Sequence, residues 1–335
     1  MRNLNICSVS ILSAVVATMF FSACCTRPQS VSKFEGFALG TVYSVTVVGN
    51  AADCIRSQIE DIFEYADSTM SVFNPNSLLS RINRNETDSL NADMVRNIEL
   101  ALETGRLSGG KYDITVQPLV EAYGFIDERS EPVAVDSLLE YVGYEKISVR
   151  DGRLVKESPY IRIDLNSVAK GYVVDLIARM LEAEGFDNYL VNVGGEIFCR
   201  GTNASGDRWR IAIDTPYEGN YLPGAATSTV LNVAGMGIAT SGNYRNFRVG
   251  ADGRKYTHII DPLTGANTES CLLSATVIAS SCAQADAFAT MFMVMGLEES
   301  VALLDRQNDI AALLIYDTPD GGMKIFISPA MRQYM

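Results

Sequence analysis

Tyr189-Leu190-Val191-Asn192-Val193-Gly194-Gly195-Glu196-Ile197-Phe198-Cys199-Arg200 reads as two short strands parted by paired glycines, so the chain turns back on itself here instead of crossing over through a helix. Short strands continue to residue 278, punctuated at Gly206-Asp207 and Asp252-Gly253, with residues 220–227 expected as an exposed loop around Pro223-Gly224. Three helices are expected upstream. Residues 168–184 end at Gly185, and residues 91–107 have Asn91 as N-cap and Gly109-Gly110 just beyond; residues 53–70 carry Ile55, Ile59, Ile62, Phe63 and Ala66 on one stripe. Residues 37–48 alternate and are rich in Thr and Val, which predicts a strand. Downstream, a helix over 283–295 precedes a shorter one and strands at 311–316 and 323–327. Helices and hairpins mix without regular strand–helix alternation, so the fold class is α+β, mixed helices and mainly antiparallel strands in a single compact domain that no linker divides.

Of 335 residues, 47% are apolar and 20% charged, the balance of a globular chain with a sizeable core. A net charge of −13 repels phosphate backbones and argues against nucleic acid as a partner. Any anionic ligand must instead meet local Lys or Arg, helix N-termini or a bound cation. The single histidine, His258, excludes zinc sites that need two or three imidazoles.

At the N-terminus, Arg2 precedes an uncharged, mostly apolar run from Ile11 to Phe21, too short to span a bilayer and of the size of a signal-peptide core. Phe21-Ser22-Ala23-Cys24 follows and resembles a bacterial lipobox, so residues 1–23 are expected to be a lipoprotein signal peptide, 24–33 a tether and 34–335 the domain. Lipid on Cys24 would hold the protein to a membrane in the cell envelope, on the periplasmic side. Seven cysteines include no CxxC pair, so Cys54, Cys199, Cys271 and Cys282 default to buried free thiols, while export would allow some of the four to pair.

Five segments carry candidate chemistry. In Ala285-Asp286-Ala287-Phe288-Ala289-Thr290, Asp286 and Thr290 lie one helical turn apart and offer hard oxygens of the kind magnesium accepts; the alternative is a capping Asp and a Thr bonded to its own helix. Ile163-Asp164-Leu165-Asn166-Ser167-Val168-Ala169-Lys170-Gly171 delivers a helix start with a lysine one turn in, either a phosphate seat or a plain strand-to-helix turn with Asp164 or Ser167 as cap and Gly171 for close packing. Tyr256-Thr257-His258-Ile259-Ile260-Asp261-Pro262-Leu263-Thr264-Gly265 is a strand ending in a turn, with His258 either structural or a base. Gly194-Gly195 makes either a simple hairpin or a close approach of backbone to a flat ligand, and Ala239-Thr240-Ser241-Gly242-Asn243-Tyr244-Arg245-Asn246 is a polar cluster with one arginine.

In this order, and together with Ala38-Leu39-Gly40-Thr41-Val42-Tyr43, Met70-Ser71-Val72-Phe73 and Gly110-Lys111-Tyr112-Asp113-Ile114-Thr115-Val116-Gln117-Pro118-Leu119-Val120, the chain resembles the FAD:protein FMN transferase (ApbE) family from about Ala38 to near the C-terminus. The resemblance implies an exported enzyme with Mg2+ as cofactor and FAD as substrate. It would transfer FMN to a threonine hydroxyl of an exported flavoprotein subunit and release AMP. The alternatives are a magnesium-dependent FAD pyrophosphatase and a non-catalytic flavin-binding lipoprotein. By position, Asp286, Thr290 and the carbonyl near Ser167 would hold the metal; Leu39, Phe73, Lys111, Tyr112, Asp113, Asp164, Lys170 and Ile260 would contact FAD; His258 would be catalytic, with Asp261 the competing base. Asn166-Ser167 stands where many relatives carry small residues, and Asn243 where Asp is common, which puts a charge role at 243 in doubt.

Overall fold

The computed structural model describes residues 29–126, 135–217, 226–243, 247–249, 255–257, 259–268 and 270–335. The leader with Cys24, the centre of the expected 220–227 loop, Arg245 and His258 lie outside the described residues.

The order of elements is β1 (Val31–Ala38), β2 (Thr41–Val48), α1 (Cys54–Met70), α2 (Leu78–Asn83), α3 (Ala92–Leu107), α4 (Gln117–Ala122), α5 (Val135–Leu138), β3 (Ile147–Arg150) and β4 (Arg153–Lys156). Then come α6 (Asn166–Ala183), β5 (Tyr189–Val193), β6 (Glu196–Arg200), β7 (Trp209–Asp214), β8 (Thr227–Val233), β9 (Met236–Gly242), β10 (Phe247–Val249) and β11 (Lys255–Thr257). β12 (Leu272–Ala279), α7 (Cys282–Arg306), β13 (Ala311–Asp317) and β14 (Met323–Ile327) complete it. Eight strands form one sheet in the order β1-β2-β5-β6-β9-β12-β13-β14, every neighbouring pair antiparallel. The α+β expectation stands.

The sheet buries both faces. Ala239, Val277 and Leu314 point into a large core shared with the helices, while their neighbours Ile238, Ile278 and Leu313 point into a second core under the β7–β8 hairpin, with Trp209, Ile211 and Leu231. This two-sided burial explains why Ala311-Ala312-Leu313-Leu314-Ile315 is continuously apolar. The expected stripe of α1 packs inward, and Asn91 caps α3 by accepting the Met94 N–H at 2.8 Å. α7 is apolar enough to pass for a membrane span by length and composition, but 56% of its apolar window is buried in this domain, where it serves as the core helix. Gly296, at φ 76°, breaks it into the expected longer and shorter parts.

Three expectations differ from what is observed. Residues 37–48 are not one strand: Leu39 (φ 49°) and Gly40 (φ 73°) form a left-handed two-residue turn, which folds the segment into the β1–β2 hairpin with Ala38 opposite Thr41. Val31, Ser32 and Lys33, expected to precede the domain, already pair with Val48, Val47 and Thr46. The helix expected from 168 begins at Asn166, where the Asp164 carboxylate accepts the Asn166 N–H at 2.8 Å.

The site depends on how α6 meets α7. A Cβ on Gly171 would stand 2.4 Å from the Cys282 carbonyl oxygen, and one on Gly237 of β9 would stand 2.3 Å from the Cys282 nitrogen, so the start of α7 is wedged between two glycines. Asp175 of α6 accepts the N–H groups of Cys282 (2.7 Å) and Ala283 (3.0 Å), meeting donors that the first turn of α7 leaves free. Gly171→Ala is therefore expected to destabilise the protein by about 1–3 kcal/mol, the usual cost of overpacking. The measurement is the urea midpoint, and an unchanged midpoint would show that the crossing has slack.

Candidate active site

A cleft of about 990 Å³ opens where the β1–β2 turn, the start of α6, the β5–β6 turn, the middle of α7 and residues 259–262 converge. Leu39, Phe73, Lys111, Tyr112, Asp113 and Asp164 line it, as do Ser167, Lys170, Ile260, Asp286 and Thr290. Every residue expected to hold the metal or FAD thus stands on one cavity, although they come from segments spread over most of the chain; the competing base Asp261 is not among its lining.

Asp286 is buried, and it does not cap its helix. Ser281 is the N-cap of α7, while Asp286 Oδ2 accepts the Gly171 N–H of α6 at 3.0 Å. Burial pushes the Asp286 carboxyl upward, Lys170 pulls it back down, and Glu196 raises it further. One turn on, the Thr290 hydroxyl meets Ser241 Oγ of β9 at 3.2 Å. The Gly171 N–H is also the donor that a regular helix would direct at the Ser167 carbonyl, four residues back.

Lys170, one turn in from the start of α6, extends to an ion pair with Glu196. Burial alone would lower this ammonium, but Glu196 and Asp286 more than offset that and hold it above its ordinary value. Asp164, fully enclosed, is pushed up to about 6 by burial against the pull of its backbone and side-chain bonds to Asn166. The Tyr112 hydroxyl is 2.7 Å from Ser167 Oγ, and burial raises its pKa well above that of a free phenol.

Other predicted residues are already engaged. Asp113 Oδ1 accepts from the Thr115 N–H and hydroxyl, both at 2.7 Å, and Oδ2 accepts the Tyr144 N–H at 2.5 Å, so both oxygens serve internal donors. Lys111 Nζ pairs with Asp261 Oδ2 at 2.8 Å, and Asp261 Oδ1 accepts the Leu263 N–H at 2.9 Å. Held this way, Asp261 is a poor candidate for a free base. Asn243 does not line the cleft and donates to the Leu272 carbonyl at 3.2 Å.

Sequence reasoning missed Glu196, Ser241 and Asp175 as individual residues. The paired glycines marked the turn before Glu196, and Gly194 (φ 67°) and Gly195 (φ 110°) do need the left-handed freedom of glycine. Asp175 carried the same signal as Asp286, a carboxylate in an apolar helix that must find a partner. Among the described residues, no three His, Cys, Asp or Glu gather in a way that could hold a metal by themselves.

Residues 39–314 match the ApbE family. The chain is 33% identical over 332 residues to the FAD:protein FMN transferase of Vibrio cholerae serotype O1, covering 96% of this chain and 97% of that one. It is 32% identical over 347 residues to the protein of the same name from Escherichia coli K12, with 97% of each covered. A solved structure titled Flavin Transferase ApbE from Vibrio cholerae superposes with a TM-score of 0.82 and 31% identity over 92% of this chain and 100% of that one. The α+β domain built around this cleft is thus that of a transferase enzyme. The chain belongs to the ApbE family.

The buried carboxylates set a pH dependence. Burial pushes Asp164 and Asp175 up to about 6 in the folded protein, so the folded state binds more protons than the unfolded chain between the ordinary carboxylate pKa and about 6. Stability is then highest at the acid end of that window and falls as pH rises through it, by roughly 2–3 kcal/mol for each group. Asp93 and Glu182, held below their usual values, weaken the fold only at lower pH. Urea unfolding at pH 4.5 and pH 7 should show the lower midpoint at pH 7, and Asp175→Asn should shrink the difference; a flat profile would contradict the burial argument.

Proposed function

We propose that the protein transfers the FMN moiety of FAD to a threonine hydroxyl of an exported flavoprotein and releases AMP. The threonine oxygen forms a bond to the phosphorus of the FMN half, the diphosphate P–O bond breaks, and AMP leaves with the bridging oxygen. The observation that carries this is the convergence of Asp286, Thr290, Ser167 and Lys170 on one cleft wall, where relatives named for the same reaction supply the family context.

The donor set fits a magnesium ion. It combines one carboxylate, one hydroxyl and the Ser167 carbonyl, all hard oxygens, a set that binds an ion weakly by itself and tightly with a phosphate ligand alongside. Bound there, the ion would neutralise charge on the diphosphate, which phosphoryl transfer requires. Lys170 sits at the start of α6, where its charge and the helix N-terminus favour the same anion. Leu39 at the hairpin tip and Phe73, 61% exposed, offer apolar surface to a flat ring. The acceptor hydroxyl needs a base, and His258 is assigned that role by the family resemblance. Ile259 and Ile260, which follow it, line the cleft. Hydrolysis of FAD to FMN and AMP is the same displacement with water as the nucleophile.

Asp286→Ala is expected to abolish AMP release from FAD, as excess chelator should in the wild type, and Asp286→Asn, which keeps an oxygen to accept the Gly171 N–H, should do the same while the protein stays folded. His258→Ala should slow transfer by roughly 10²–10⁴-fold, the usual worth of a general base. Chromatography of AMP and in-gel fluorescence of a threonine-bearing acceptor read both steps. Full activity of Asp286→Ala would refute the metal assignment, and free FMN without labelled acceptor would assign hydrolysis instead.

We also propose that lipid on Cys24 anchors the protein to a membrane, facing the periplasm. Its support is the apolar leader followed by Ser22-Ala23-Cys24. Cys24→Ala should move the protein from the membrane fraction to the soluble fraction of cells; equal partitioning of the two forms would remove the anchor.

A further inference from the structure

Glu196 has no part in the transfer scheme above, yet its position is a demanding one. It is the first residue of β6, directly after the Gly194-Gly195 turn, and only 4% exposed. One carboxylate oxygen takes the Lys170 ammonium; the other, Oε2, is buried with no hydrogen-bond partner. Leaving such an oxygen without donors costs free energy, so stability alone is a weak reason to place a carboxylate there.

Lys170 stands between two buried carboxylates. Among the described residues it forms its ion pair with Glu196 and none within 4.0 Å with Asp286, which feels the ammonium only through space. Asp286 is nonetheless tied to the residue next to Lys170, through the Gly171 N–H. The lysine stem is flexible, and an ammonium and a divalent ion compete for the same carboxylate in a poorly solvated site.

We infer that Glu196 is a positioning residue, which by holding the Lys170 ammonium keeps it off Asp286 and leaves that carboxylate open to a divalent cation. The inference rests on the proposed role of Asp286 as a metal ligand. Glu196 thereby gives Lys170 a fixed place beside the metal seat, where its charge adds to that of the ion instead of displacing it. Removing the carboxylate charge frees the ammonium to pair with Asp286, and metal affinity drops.

The test is a double-mutant cycle on Mn2+ binding to the purified protein without FAD, read from the electron paramagnetic resonance signal of free Mn2+. Four proteins are compared: wild type, Glu196→Gln, Lys170→Met and the double variant, each checked by thermal melting. Glu196→Gln is expected to weaken Mn2+ at least tenfold. In the Lys170→Met background the same change should alter affinity less than threefold, because no ammonium remains to be misplaced. Equal weakening in both backgrounds would mean that only nearby negative charge was lost, and would overturn the inference. So would an unchanged affinity in Glu196→Gln. If Glu196→Gln alone does not fold, the Lys170→Met pair decides, and a tenfold drop there overturns the inference while a change under threefold supports it. Wild-type protein that binds no Mn2+ removable by Asp286→Ala would overturn the metal-ligand role itself, and this inference with it; retained wild-type binding with an unaffected Glu196→Gln overturns the inference alone.

Discussion

The structure depends on a reciprocal clasp between two helices. Asp175 of α6 reaches across to the first amides of α7, and Asp286 of α7 reaches back to the Gly171 amide of α6. Each carboxylate is buried, and each accepts main-chain N–H groups that its own helix does not supply. The glycine at the crossing lets the backbones approach closely enough for both bonds to form. One consequence is structural, the locking of α7 into the core; the other is chemical. The same contact sets Asp286 and Thr290 beside Ser167 and Lys170, so the packing constraint and the cleft are one feature.

How much of this was legible in the sequence depends on the range of the contacts. The stripe of α1, the Asn91 cap and the break at Gly296 follow from neighbours within a few residues, and all were readable. The isolation of Asp286 and Thr290 in an apolar helix showed that they needed partners, but not which ones. Those partners, Gly171 and Ser241, are 115 and 49 residues away. The ion pairs Lys170–Glu196 and Lys111–Asp261 are equally long-range, across 26 and 150 residues, and spacing rules hold no information about them. The β1–β2 turn was hidden for another reason. Leu39 adopts a left-handed conformation that leucine rarely takes, so the alternating pattern ran through the bend with Gly40 as its one mark. The family resemblance filled part of this gap through the order of motifs, which carries three-dimensional information that residue propensities lack.

The electrostatics of the cleft run against those of the whole molecule. With a net charge of −13, the surface as a whole repels a diphosphate. The cleft wall is itself acidic before any ligand enters, because Asp286 and Glu196 face a single ammonium on Lys170. With both carboxyls ionised, two negative charges against one lysine leave that cluster one positive charge short. On the proposed reading, a divalent cation reverses the sign, turning a site that would reject a diphosphate into one that attracts it. Cation and nucleotide then strengthen each other's binding, since the protein oxygens alone hold the ion only weakly and the lysine alone is too little to retain the phosphates. A site built this way stays closed to stray anions in an acidic protein and opens only to the metal-complexed nucleotide, which gives the unfavourable pairing of buried carboxylates a chemical purpose.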